Sequence, residues 1–99
     1  MVGATLEFRE YLTFEADARA EMVAWRVPSP VRGSRHSYKY RFALIVGDIC
    51  VMRFDNEAGK GDHRHVGSRE FAYDFRGLER ARDDFLVSAR EWLAAHAAD

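Results

Sequence analysis

The segment Arg53-Phe54-Asp55-Asn56-Glu57-Ala58-Gly59-Lys60-Gly61-Asp62-His63-Arg64-His65 concentrates more proton-transferring, anion-holding and metal-ligating groups than any other stretch of the chain. Two of the four histidines sit here, two residues apart. Side chains at that spacing on an extended backbone point the same way, so His63 and His65 present two imidazoles together. Histidine titrates near neutral pH, so one ring can serve as general base and the other as general acid. Lys60 and Arg64 can stabilise charge that develops on a phosphorane, and Asp55 and Asp62 can orient the rings. Such a set cleaves RNA by attack of the ribose 2′-hydroxyl, with no metal and no cofactor.

The candidate catalytic residues are therefore His63, His65, Lys60, Asp62 and Asp55. The candidate substrate-binding residues are Arg53, Asn56, Arg64, Lys39, Tyr40 and Arg41, because Tyr38 and Tyr40 beside Lys39 and Arg41 combine stacking surfaces with positive charge. A rival reading gives His63, His65 and a carboxylate, Asp62 or Asp55, to zinc or manganese. Lys60 and Arg64 at the same spot argue against a dication. A plainer reading makes the histidines polar residues of a surface hairpin. The glycines at 59 and 61 do not form a P-loop, since no Ser or Thr follows Lys60 and no helix begins there.

The totals suit a single domain over residues 1–99. Ninety-nine residues with 47% hydrophobic composition bury one modest core. The net charge is −1, but the distribution is uneven: residues 32–66 carry +3 and each flank −2. A local positive region attracts polyanions. No apolar run is long enough to cross a bilayer, and Glu7, Arg9 and Glu10 close behind Met1 are unlike a signal peptide. One cysteine, Cys50, leaves no disulfide framework. The expectation is a soluble cytoplasmic protein.

The elements that must position the histidines are mostly strands. Residues 4–14 alternate with period two, Glu10 interrupting the apolar face. Residues 19–27 form a second strand, ended by Pro28 and Pro30, and a helix over 16–25 is the alternative. Residues 36–46 give the clearest strand, and Gly47-Asp48 reads as a two-residue hairpin turn. That turn predicts pairs Val46 with Ile49, Leu44 with Val51, Phe42 with Arg53 and Tyr40 with Asp55, which sets Arg53 and Asp55 beside Tyr40 and Phe42. Cys50 reads as a packing residue. His65-Val66 and Glu70 to Phe75 give further short strands. From Leu78 apolar residues recur at three- and four-residue steps, the mark of an amphipathic helix of about five turns. The fold class is α+β, an antiparallel sheet of about five strands against one C-terminal helix. One sheet face is left needing a cover, such as sheet curvature or a partner subunit.

Three segments carry a family resemblance: Glu21-Met22-Val23-Ala24-Trp25-Arg26-Val27-Pro28, Ser34-Arg35-His36-Ser37-Tyr38-Lys39-Tyr40-Arg41, and the histidine segment with its GKGDHRH string. Together they resemble the TumE family, small proteins regarded as toxins of prokaryotic toxin–antitoxin modules. The resemblance implies a cognate antitoxin of helix-turn-helix type. It supplies no target and no catalytic residues. Metal-independent endoribonuclease activity is an inference from the histidines. A non-catalytic toxin that binds RNA or protein, and a homodimeric interaction protein without toxicity, are the alternatives.

Overall fold

The computed structural model describes residues 3–15 and 17–97; Ala16, in the expected turn after the first strand, lies outside them. Six strands follow one another: β1 Thr5–Phe14, β2 Ala18–Arg26, β3 Tyr38–Val46, β4 Ile49–Glu57, β5 Gly61–Val66 and β6 Arg69–Ala72, before helix α1 Leu78–Ala95. The strands lie side by side in chain order, each antiparallel to the next. The α+β expectation holds, with one strand more than the sequence suggested. β2 is a strand, and the helical alternative for it is wrong.

Alternation sorts each strand into a helix-side and an open-side set. Met22, Phe42 and Phe54 are paired neighbours on the helix side. Phe85 of α1 packs onto this row, with ring centroids 5.8 Å from Phe42 and 5.5 Å from Phe54. Ala20, Ala24, Leu44, Met52, Ala81, Leu86 and Ala89 complete the buried core. The small residues of β2 and α1 let the layers approach, while the aromatic rings fill the centre. Glu10 interrupts the apolar face of β1 because Arg82 of α1 reaches it there. Among the described residues no helix is long and apolar enough to cross a membrane.

The β3–β4 hairpin corrects the expected register. Val46 pairs with Ile49 and Ile45 with Cys50, but Leu44 then pairs with Met52, so Val51 is an extra residue. This is a β-bulge, and beyond it every side chain of β4 changes sides. Phe42 faces Phe54, Ala43 faces Arg53, and Arg41 faces Asp55. Arg53 and Asp55 are therefore not beside Phe42 and Tyr40; they project from the opposite face. The physical reason is apolar: the bulge places Met52 and Phe54 on the helix side, where the unbulged register would put the charged Arg53 and Asp55. Cys50, on the open side, is exposed and is not a packing residue.

Candidate functional site

The stretch read from sequence as a glycine-rich loop is mostly strand. β4 runs to Glu57 and β5 begins at Gly61, leaving a tight three-residue turn at 58–60. The loop at residues 31–34 rests against this turn, and the Arg32 carbonyl accepts from the Gly59 amide at 2.7 Å. A Cβ on Gly33 would stand 2.7 Å from the Gly61 amide nitrogen, so only glycine permits the close approach.

The antiparallel pairing of β4, β5 and β6 builds a charged patch on the open face. Across the sheet, one row runs Arg41, Asp55, His63, and the next runs Ala43, Arg53, His65, Glu70. His63 and His65 stand with ring centroids 6.4 Å apart. Each faces a carboxylate on a neighbouring strand: His63 Nε2 is 3.5 Å from Glu70 Oε1, and His65 Nε2 is 3.6 Å from Asp55 Oδ1. The Gly61 carbonyl lies 3.2 Å from His63 Nδ1; a ring donating there through Nδ1–H leaves Nε2 bare.

Asp55 is the buried centre of the patch, 5% exposed. Arg53 Nε lies 2.9 Å from Asp55 Oδ2, an ion pair that lacks hydrogen-bond alignment, and Arg53 Nη2 lies 3.6 Å from Glu57 Oε1. Asp55 Oδ1 and Arg53 Nε are the buried side-chain polar atoms with no hydrogen-bond partner among the described residues. Buried polar atoms are nearly always partnered in a folded protein, because an unpartnered one loses its hydration without replacement. Here the Arg53–Asp55 ion pair offsets part of that cost, and Asp55 Oδ1, aimed at His65, stays without a hydrogen bond.

The other candidates divide by strand parity. Lys39 lies on the open side at the end of this patch, where its ammonium donates to the Asn56 carbonyl. Arg41 is exposed and, among the described residues, forms no ion pair. Lys60 is exposed in the turn. Asp62, Arg64, Asn56 and Tyr40 all project to the helix side, away from the histidines. Asp62 Oδ1 accepts from Ser34 Oγ at 2.7 Å, and its Oδ2 accepts from Tyr40 Oη at 2.7 Å and meets His36 Nε2 at 2.8 Å. Burial and the Asp62 bond push the Tyr40 hydroxyl far above its usual range, so it remains a proton donor to Asp62. Asn56 is fully buried, accepts from the Tyr40 amide and donates to the Tyr38 carbonyl at 2.7 Å. Asn56 and Tyr40 are thus sealed inside the fold. The Arg64 guanidinium covers the Phe71 ring at 4.9 Å.

Sequence reasoning missed Glu57, Glu70 and His36. Glu57 continues the two-residue step Arg53, Asp55, Glu57, a signal that was readable once β4 extends past Phe54. Glu70 joins only through the β5–β6 pairing, which no local pattern announces. His36 stacks on Phe75 with centroids 3.7 Å apart and belongs to the Asp62 network.

No curated protein and no solved structure matches the chain. A sequence model of the family described as Toxin TumE does match, over residues 3–93 of the 99. The match takes in all six strands, the histidine pair and nearly all of the helix, and by it the chain belongs to the Toxin TumE family.

Proposed function

We propose that this protein, a toxin with a cognate antitoxin, acts on RNA as a metal-independent endoribonuclease through the open-face patch. The carrying observation is the pair His63 and His65 on one sheet face, His63 Nε2 facing Glu70 and His65 Nε2 facing Asp55, the carboxylate that Arg53 meets. In this scheme His63 Nε2 takes the proton of a ribose 2′-hydroxyl. The 2′-oxygen attacks the adjacent phosphorus and the bond to the 5′-oxygen breaks. His65, as the imidazolium facing Asp55, gives its proton to that leaving oxygen. The products are a 2′,3′-cyclic phosphate and a free 5′-hydroxyl. Arg41 and Arg53 supply the positive charge for the pentavalent phosphorus, and Lys39 extends the basic track along the strand. Lys60 lies at the edge of this path, while Asp62 and Arg64 take no part in it.

The test is incubation of the purified chain with cellular RNA in chelator, with end-group analysis of the fragments. Cyclic-phosphate ends that appear with the native chain and fall at least 100-fold with His63→Ala and with His65→Ala support the scheme. If the double variant stays folded and still arrests growth, the histidine mechanism is wrong. Arrest that requires one toxin per RNA or protein target, without turnover, would favour the non-catalytic reading.

A further inference from the structure

The geometry points to a binding site for one divalent transition-metal ion of the zinc class, ligated by Asp55 Oδ1, His65 Nε2 and a Glu57 carboxylate oxygen. One ligand atom from each of these residues falls within 4.8 Å of the other two. Two nitrogen or oxygen ligands about 2.0–2.1 Å from a tetrahedral ion stand about 3.3 Å apart. The 3.6 Å between Asp55 Oδ1 and His65 Nε2 is close to that separation and too long for a hydrogen bond. The second observation is the orphaned Oδ1 itself, buried, without a hydrogen bond, and directed at the imidazole.

The two oxygens of Asp55 have different neighbours. Oδ2 meets the Arg53 guanidinium at 2.9 Å and Oδ1 meets His65. A ligating carboxylate commonly has its second oxygen held in this way, which fixes the direction of the first. Arg53 offsets one of the two negative charges, so the empty site keeps a net negative charge that attracts a dication. Glu57, half-buried at the rim and 3.6 Å from Arg53 Nη2, supplies the third ligand oxygen. His63 is not a ligand, because its Nε2 faces Glu70 on the next strand. Three protein ligands leave a fourth position for water. A bound ion takes the Nε2 lone pair of His65, so on the function proposed above the metal is a brake on cleavage. That last step rests on the nuclease reading; the binding itself does not.

The test is calorimetric titration of the whole chain with zinc chloride, paired with the visible absorption of its cobalt(II) form. One ion per chain and tetrahedral cobalt bands are expected. Binding should weaken at least 10-fold in Asp55→Asn, in His65→Ala and in Glu57→Gln, and persist in His63→Ala. Glu57→Gln replaces a half-buried carboxylate with its isosteric amide, and circular dichroism checks that the variant folds, so it keeps the test decisive if Asp55→Asn unfolds. No binding by the native chain overturns the site. So does undiminished binding in Glu57→Gln and His65→Ala, or equal loss in His63→Ala. Because the titration uses no RNA, it stands whether or not the chain cleaves RNA.

Discussion

Arg82 and Glu10, 72 residues apart in sequence, meet side-on: Arg82 Nε and Nη2 donate to the two carboxylate oxygens of Glu10 at 2.7 and 2.8 Å. The pair ties the helix to the edge strand β1. Its two parallel bonds make it stronger than a single-point contact, although both side chains remain about one-third exposed. We expect Glu10→Gln and Arg82→Ala each to lower stability by about 0.5–1 kcal/mol, read by urea denaturation. The Arg82 hydrogen bonds hold the Glu10 carboxyl below its usual value of 4.5. A lowered folded-state value means the stabilisation is complete above the unfolded value and is lost as pH falls through the folded one. The native chain should therefore lose stability more steeply than Glu10→Gln below about pH 4.5.

Asp62 was read from sequence as an orienting carboxylate beside the histidines, and the structure makes it an anchor instead. Three side chains converge on its two oxygens. Asp62→Asn leaves the His36 and Tyr40 contacts without their anion, at a cost of about 2–4 kcal/mol. The expected result is a lower melting temperature, with cleavage per folded molecule retained. Loss of cleavage in a fully folded Asp62→Asn protein would return the residue to the chemistry.

Gly33 and Gly61 touch back to back, and each has a positive φ, 97° and 75°. Gly33→Ala forces a Cβ to within 2.7 Å of backbone, so the 31–34 loop must lift off the turn. A loss of about 1–3 kcal/mol is expected, accompanied by faster amide exchange at Gly59, whose hydrogen bond to Arg32 would break.

Arg41 and Arg64 separate the two sheet faces experimentally. Arg41 shares a row with Asp55 and His63, whereas Arg64 points to the helix side. Charge reversal at Arg41 should weaken RNA binding and cleavage at least 10-fold, measured at fixed salt because phosphate contacts are salt-dependent. Charge reversal at Arg64 should leave both within about 3-fold if it remains folded.

Much of this architecture was legible. The strands up to Val46, the Gly47-Asp48 turn and the α1 stripe each carry a local signal and appear where expected, whereas the strand expected over Glu70 to Phe75 is shorter, Arg69–Ala72, and β5 starts at Gly61. The sides of β4 were not legible, because the turn sets register only up to the bulge. Val51 is as apolar as its neighbours and nothing in its identity announces that it is the extra residue. That single slip moved Asp55 and Arg53 across the sheet. The histidine pair itself needed only alternation along β5 and was readable. Its carboxylate partners depend on pairing between strands, which one strand's sequence does not contain. Parity also explains the mixed outcome for the candidates: His63 and His65 share a face, and Asp62 and Arg64, interleaved between them, face the other way.

The strands pair in chain order and the helix follows them all. Such a meander zips hairpin by hairpin, with each closure spanning a short stretch of chain. The apolar row of Met22, Phe42 and Phe54 nevertheless has no lid until Phe85 and Leu86 have been made. On the ribosome, a chain halted before residue 78 displays a bare sheet, the kind of surface that chaperones and proteases capture.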